Sequence, residues 1–317
     1  MAKQKKALVA GGAGFVGSHL CEYLLDRGYQ VAAMDNLVTG QRKNIEHLLK
    51  RGLNWLDSNL ITAHPLNEEF DEIYNLASPA SPADFEMMPI FILKTAALGH
   101  MNMLEMGRTF GCPVLFASTS EVYGDPLEHP QKETYLGNVN TVGVRGCYDE
   151  AKRFGEALSV AYQREHKVPI RIARIFNTYG PRMRPEDGRI VPNFAAQSLR
   201  GESLTIHGDG QQTRSFCFVS DLVEGLFRLM QSQETTPVNL GNPDERTVLE
   251  MADLINQHTG NKAPHRFVPA PPDDPRRRCP DISKAKKVLG WEPKISLRDG
   301  LNQTMDFFST HSNGRNP

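Results

Sequence analysis

Neither sign of charge prevails in this sequence: 36 lysines and arginines stand against 37 aspartates and glutamates over 317 residues, a formal net charge of -1. No global field is therefore available to recruit nucleic acid or an acidic membrane surface, and an anionic ligand must be caught by a few local groups. A basic stripe with interleaved aromatics is also lacking, so no nucleic-acid partner is expected. Cysteine is sparse. Cys21, Cys112, Cys147, Cys217 and Cys279 are odd in number, far apart and never in a CxxC spacing. That pattern argues against a disulfide framework and against a zinc site, so no metal is expected and a reducing cytoplasm fits best. Long hydrophobic runs are missing too. The opening MAKQKK leads into an apolar run over residues 7–10, too short for a secretory core or a membrane span, and no membrane partner is expected. There are no internal repeats or low-complexity tracts. What remains, 39% of it hydrophobic, is enough for one large α/β unit or two closely joined domains.

Short β-rich runs at 6–10, 30–35, 53–57, 72–76, 113–118 and 170–176 alternate with longer helical patterns, notably 15–27, 89–110 and 148–167. This rhythm predicts an α/β fold with a Rossmann-type, doubly wound parallel sheet covered on both faces. After Asn177 the texture changes to Gly- and Pro-punctuated loops such as NTYGPRMRPEDGR and HGDGQQTR. The expected division is a dinucleotide-binding domain at 1–177, rejoined by about 215–242, and a smaller C-terminal α/β substrate domain made of 178–214 and 243–317.

The first strand runs directly into Gly11-Gly12-Ala13-Gly14-Phe15-Val16-Gly17 and a helix. Glycines suit this turn because it is tight, because backbone amides must approach a pyrophosphate, and because the helix packs closely on the strand. The helix start then faces the phosphates with unpaired N–H groups. Asp35 ends the second strand, where a carboxylate can accept from ribose hydroxyls and would repel a 2′-phosphate. The cofactor expected is therefore NAD rather than NADP, with Arg42 and Lys43 nearby as a counter-indication.

Of the tyrosines only Tyr148 is followed four residues later by lysine, Lys152, one helical turn away on the same face. A phenol with a reference pKa of about 10 needs about 4 kcal/mol of help to act as a base near neutrality. One ammonium at about 4 Å, at an effective dielectric near 20, supplies about that much. Ser118-Thr119-Ser120-Glu121 ends the strand just upstream. Together these features read as a catalytic pair behind a dinucleotide fold.

In order along the chain, GGAGFVGSHL, DNLVTG, IYNLASPASP, LFASTSEVYGDP, CYDEAKR, RIARIFNTYGPR, DGRIVPNF, GDGQQTRSF, VSDLV, NLGNP, DDPRRRCPDI and LGWEP resemble the extended short-chain dehydrogenase/reductases, and among them the UDP-glucuronic acid decarboxylases. The resemblance implies cofactor contacts from Gly11, Gly14, Phe15, Val16, Gly17, Asp35, Asn36, Thr39, Gly40, Asn59, Leu60, Leu76, Ser78, Thr95, Ala117, Tyr148 and Lys152. It implies a UDP-sugar held by Lys94, Asn102, Asn177, Arg189, Val191, Asn193, Thr205, His207, Gln212, Arg214 and Arg278, and catalysis by Tyr148, Lys152, Thr119, Glu121 and Arg278. Ser120 stands where sugar dehydratases of the superfamily carry an acid, so no water needs to leave. Departures are Ala96 where the family often has Asn, His207 for Tyr, and Asn59-Leu60 for Asp-Val. Asn59 can still accept from an adenine amino group.

The implied chemistry starts with removal of the C4 hydroxyl proton by Tyr148 as hydride passes to NAD. The C6 carboxylate is then β to a ketone, carbon dioxide leaves, and protonation at C5 with return of the hydride gives UDP-xylose with no net redox change. The alternatives are a 4-epimerase, a 4,6-dehydratase, an oxidative decarboxylase that stops at the 4-keto pentose, and a non-catalytic NAD-sensing protein. A homodimer is expected through the helices at 89–110 and 148–167, the first of which carries Met101, Met103, Leu104 and Met106.

Overall fold

Short apolar runs bounded by turn residues pair side by side into one parallel sheet in the computed structural model, which describes residues 4–62, 66, 68–271 and 274–312. Strands β1 (Lys6–Ala10), β2 (Gln30–Asp35), β3 (Asn54–Asp57), β4 (Glu72–Asn75), β5 (Val114–Thr119) and β6 (Ile170–Ile175) fall on the six β-rich runs, with ends shifted by at most one residue. Smaller strands follow: β7 (Thr178–Tyr179), β8 (Thr205–His207), β9 (Thr213–Ser215), β10 (Cys217–Phe218), β11 (Val238–Leu240), β12 (Glu245–Thr247), β13 (Arg266–Val268) and β14 (Arg277–Arg278). The large sheet has the order β3-β2-β1-β4-β5-β6-β11, and its neighbours pair in parallel. Strand order reverses between β1 and β4, and this switch opens a crevice at the carboxyl ends of the strands.

Helices α1 (Phe15–Asp26), α2 (Glu46–Leu49), α3 (Pro82–Met87), α4 (Pro89–Lys94), α5 (His100–Phe110), α6 (Gly146–His166), α7 (Ile190–Leu199), α8 (Val219–Gln231), α9 (Val248–Thr259), α10 (Ser283–Leu289) and α11 (Leu297–Ser312) complete the chain. Strand alternation sends Ala7 and Val9 to one face of the sheet, with Leu20 and Leu24 of α1 and Leu222 and Leu226 of α8. Leu8 and Ala10 go to the other face, with Met103, Leu104 and Met106 of α5. Three of the four apolar residues taken as excess surface on that helix therefore belong to the core. The continuous helix expected over 89–110 is interrupted by a π segment, Thr95–Gly99, between α4 and α5. Here a Cβ on Gly99 would come within 2.9 Å of Leu60, so the wide turn seats the loop that follows β3.

Beyond β6, strand β9 lies between β12, antiparallel, and β14, parallel, and the register sets Arg278 beside Arg214. The C-terminal region is pinned by Trp291, whose indole N–H donates to the Asp221 carbonyl at 2.9 Å, while the Asp221 carboxylate accepts from the Lys294 and Ile295 amides.

Two glycine substitutions separate contact from backbone strain. A Cβ at Gly17 would lie 2.0 Å from the Gly11 carbonyl oxygen, backbone against backbone, whereas Gly28 (φ +78°) has nothing within 4 Å. Gly17→Ala is expected to cost about 3 kcal/mol or more, and Gly28→Ala only the left-handed penalty of about 1–2 kcal/mol. Urea unfolding of both variants measures the difference. Equal losses would mean that α1 yields at the turn.

Candidate active site

The glycine-rich turn between β1 and α1 forms one wall of a cavity of about 550 Å³ at the carboxyl ends of β1, β2 and β4. Of the residues expected on the cofactor, Gly11, Gly14, Asp35, Asn36, Thr39, Gly40, Asn59, Leu60, Leu76, Ser78 and Thr95 line it. Ala10, Met34, Val38, Ser58, Ala77, Pro79 and Phe91 also line it and were not read from the sequence, because small or apolar wall residues carry no signature. The Asp35 carboxylate accepts from the amides of Leu37 (2.9 Å) and Ala13 (3.0 Å), which fixes it at the lip. Burial raises its pKa and these amides oppose the rise. Arg42 is stacked over the Trp55 ring at 4.9 Å, which gives this cation a partner within the protein. A cradle that any Cβ would obstruct, facing the start of a helix and bounded by a strand-end carboxylate, fits a dinucleotide.

Phe15, Val16 and Gly17 lie at the start of α1, outside this wall, and Ala117, Tyr148 and Lys152 lie on β5 and α6. There the Lys152 ammonium donates to the Ala117 carbonyl at 2.7 Å. Lys152 lies 5.6 Å from the centroid of the Tyr148 ring, and Phe85 stacks on that ring at 4.9 Å. Both groups are buried. Burial pushes the Tyr148 phenol above its ordinary range, against lowering by the Thr119 hydroxyl and the Arg189 charge. Burial alone pulls Lys152 down to about 7. Among the protein's own groups burial is the largest influence on both members of the pair, and it favours the neutral form of each.

Glu121 sits in a 3-10 turn, Ser120–Tyr123, capped by Thr119, whose hydroxyl accepts from the Glu121 amide at 3.3 Å. Its carboxylate is bonded by Arg145 and, at 3.2 Å, by Arg278. Burial works to raise the Glu121 pKa, but Arg278, Arg145 and Arg214 outweigh it and hold the group at about 2. Arg278 is 1% exposed and donates also to the carbonyls of Ser120 and Gly124, whereas Arg276 and Arg277 are exposed. Arg214 is buried and bonded to Asp274 at 2.9 Å. Asp149, next to Tyr148 on α6, is 5% exposed, and its Oδ1 has no hydrogen-bond partner among the described residues. Burial and the neighbouring Glu121 push it up to about 7, against Arg145 and Arg278. The two carboxylates thus hold opposite protonation preferences in one arginine-rich pocket.

Arg189 precedes α7, pairs with Asp187 at 2.7 Å, and its charge reaches Tyr148; Val191 is buried and Asn193 half-buried on the same helix. Asn177 uses its carbonyl on the Cys217 amide at 2.9 Å. Thr205 and His207 share β8, and Gln212 donates to the His207 carbonyl at 2.7 Å. Two further residues expected on the sugar lie on α5 and α4. Asn102 spends its amide on the carbonyls of Leu60 (2.9 Å) and Ile61 (3.2 Å), on the cofactor-cavity side, and Lys94 is exposed on α4. Arg145, Asp149 and Phe85 were missed. A signal existed for the first two, since they flank Tyr148 within a turn of α6.

A family model described as GDP-mannose 4,6 dehydratase matches residues 8–304. UDP-glucuronic acid decarboxylase 1 of Danio rerio is 51% identical over 306 residues, spanning 96% of this chain and 73% of that protein. UDP-glucuronic acid decarboxylase 2 of Arabidopsis thaliana is 52% identical over 94% of this chain and 67% of its own length. Among solved structures, a UDP-glucose 4-epimerase of Thermotoga maritima with UDP-glucose superposes with a TM-score of 0.88 at 30% identity, covering 96% of this chain and 99% of that one. A UDP-glucuronic acid 4-epimerase of Bacillus cereus in complex with UDP-glucuronic acid and NAD gives a TM-score of 0.87 at 28% identity, with 96% and 99% coverage.

The raised Asp149 pKa has a pH signature. In the unfolded chain its pKa is about 3.9, against about 7 in the fold, so the folded state binds the extra proton between those values. The contribution is full below the unfolded pKa and is lost as pH rises through the folded one. Asp149→Asn, neutral throughout, is expected to raise the melting temperature relative to the parent more at pH 8 than at pH 5, measured by calorimetry. An equal shift at both pH values would place an ordinary, already ionised carboxylate there.

Proposed function

The chain belongs to the UDP-glucuronic acid decarboxylase family, and from that premise we propose that Tyr148 and Lys152 act at C4 of UDP-glucuronate while Glu121, Arg145 and Arg278 govern its carboxylate end. The enzyme is a carboxy-lyase with NAD as cofactor. The observation that supports this assignment of residues best is the cluster of half-buried Glu121 and Arg145 with buried Arg278 at the end of β5, against the strand and helix that carry Ala117, Lys152 and Tyr148. The pocket has more fixed cations than ionised carboxylates, as a substrate with a diphosphate and a carboxylate requires.

NAD, which Gly11, Gly14, Asp35 and Asn36 would hold, would supply a reversible hydride acceptor for C4 and a positive charge that offsets the burial penalty on the Tyr148 phenolate. Tyr148 receives the C4 hydroxyl proton. Lys152, anchored on the Ala117 carbonyl, orients the ribose side of the site, and Thr119 holds the sugar hydroxyl beside the phenol. Oxidation at C4 makes the C6 carboxylate β to a ketone, so the carbon–carbon bond breaks into an enolate and the electrons need no other sink. Glu121 and Asp149, one ionised and one retaining its proton near neutrality, manage delivery of the proton to C5. Arg278 exchanges part of its contact with Glu121 for the substrate. The product in this reading is UDP-xylose, and residues 178–214 and 243–317 form the part that holds the nucleotide.

We further propose a homodimer. The support is an exposed apolar face on the packed helices α4, α5 and α6, made by Ile90 (63% exposed), Met101 (38%) and Phe154 (48%), rather than by the methionines of the core. No helix among the described residues is long and apolar enough to cross a membrane. All five cysteines are unpaired, which supports a reducing compartment such as the cytoplasm.

Incubation with UDP-glucuronate and NAD in deuterium oxide, followed by NMR of the product, tests the reaction. Deuterium is expected at C5 of UDP-xylose with the original hydrogen at C4. Retained carbon dioxide with inversion at C4 would mean an epimerase, and an accumulating 4-keto pentose an enzyme that stops halfway. Light scattering at micromolar concentration is expected to give twice the chain mass, and the Ile90→Asp/Phe154→Asp variant the mass of one chain. A monomeric parent would remove the proposed interface.

A further inference from the structure

Away from the cavity and the arginine pocket, three side chains of metal-binding type converge from distant parts of the chain: His129, Glu245 and Cys279. Their ligand atoms all lie within 4.8 Å of one another, and the imidazole Nε2 is 3.1 Å from the Glu245 carboxylate. Cys279 is 6% exposed, and the other two are about a quarter exposed or less. The cluster does not depend on floppy side chains. Glu245 is on β12 and its second oxygen is held by the Thr213 hydroxyl. The segments bearing His129 and Cys279 are joined by two backbone-anchored bonds, from the Gln131 amide to the Cys279 carbonyl and from the Cys279 amide to the Gln131 side chain, each 2.9 Å.

From this geometry we propose that His129, Glu245 and Cys279 form a binding site for one zinc-class divalent cation. Imidazole, thiolate and carboxylate are the donors such an ion prefers, and three of them leave a fourth position for water. Binding breaks the Cys279 S–H bond and forms a metal–sulfur bond, with the proton released to solvent and no change of oxidation state. The exposed Arg277 guanidinium, 3.9 Å from Glu245, turns out to solvent as the cation enters. Because Cys279 directly follows Arg278, the last residue of β14, the ion would staple the Arg278 strand end to β12 and to the 129–131 segment. The cysteine spacing concealed this site, since its three ligands come from positions 129, 245 and 279. Without metal, the same atoms make a His–Glu hydrogen bond and a thiol contact to the Pro243 carbonyl at 3.5 Å.

Cobalt chloride titrated into the untagged full chain under reducing conditions separates these two states. One equivalent is expected to produce a thiolate-to-cobalt charge-transfer absorption that zinc chloride then abolishes. The band should vanish in Cys279→Ser and persist in Cys147→Ser, the control for the one cysteine that is not buried. His129→Ala should weaken cobalt binding at least tenfold. Circular dichroism confirms that each variant is folded, and Cys279→Ser in particular removes one donor atom with little change of volume. No band in the parent, a band that survives in folded Cys279→Ser, or unchanged affinity in folded His129→Ala would each overturn the site.

Discussion

A carboxylate taken out of water among guanidinium groups must be matched, and Glu121 is matched by residues that arrive from opposite directions: Arg145 from the lead into α6 and Arg278 from β14. An unpaired buried charge costs several kcal/mol, so losing Glu121 would leave both guanidinium groups without their shared counter-charge. The pairing therefore fixes more than one side chain. It sets the end of β5 against the first turn of α6, where Tyr148 begins the helix face, and it docks the C-terminal strand onto both. Arg278 adds carbonyl contacts to Ser120 and Gly124, so the same guanidinium also closes the 3-10 turn.

Within that frame the pair of Tyr148 and Lys152 is tuned by burial rather than by mutual attraction. Burial favours the neutral form of each, an uncharged phenol and a lysine at about 7. In the proposed reaction the positive charge of a bound nicotinamide would act against that preference. The Glu121 and Asp149 carboxylates divide in the opposite sense, with arginines holding one ionised and burial keeping the other protonated. Four titratable groups of a small volume thus start in forms that differ from their ordinary ones or are held firmly in them.

The sheet was legible because each strand is a short β-rich run and because the glycine turn announces β1, α1 and the crevice together. The adenosine side of the cofactor cavity followed from the same turn and from Asp35. The π segment was not legible: it depends on Leu60 pressing against Gly99, a contact between segments that periodicity within one helix cannot register. Met103, Leu104 and Met106 were misread as surface because a helix covering a sheet and also facing a partner has two apolar stripes, and spacing alone does not say which is which. Arg145 and Asp149 flank the tyrosine in plain view, yet their importance comes from burial beside Glu121, which is a property of the packed chain. The bonds from the Asn102 amide to the loop after β3 are likewise tertiary contacts that spacing does not register.

The return of β11 to the edge of the sheet has a consequence for how the molecule is made. Val238–Leu240 pairs with Ala173–Ile175 of β6, and the Phe176 amide donates to the Leu240 carbonyl. A nascent chain leaving the ribosome has the first six strands of the large sheet before it has the seventh, so the outer edge of β6 presents unpaired N–H and C=O groups throughout the interval in which residues 176–237 are being synthesised. Exposed edges of this kind invite pairing with other chains. Pairing of β11 is what covers that edge, so the sheet is closed on this side only once Val238–Leu240 has been made.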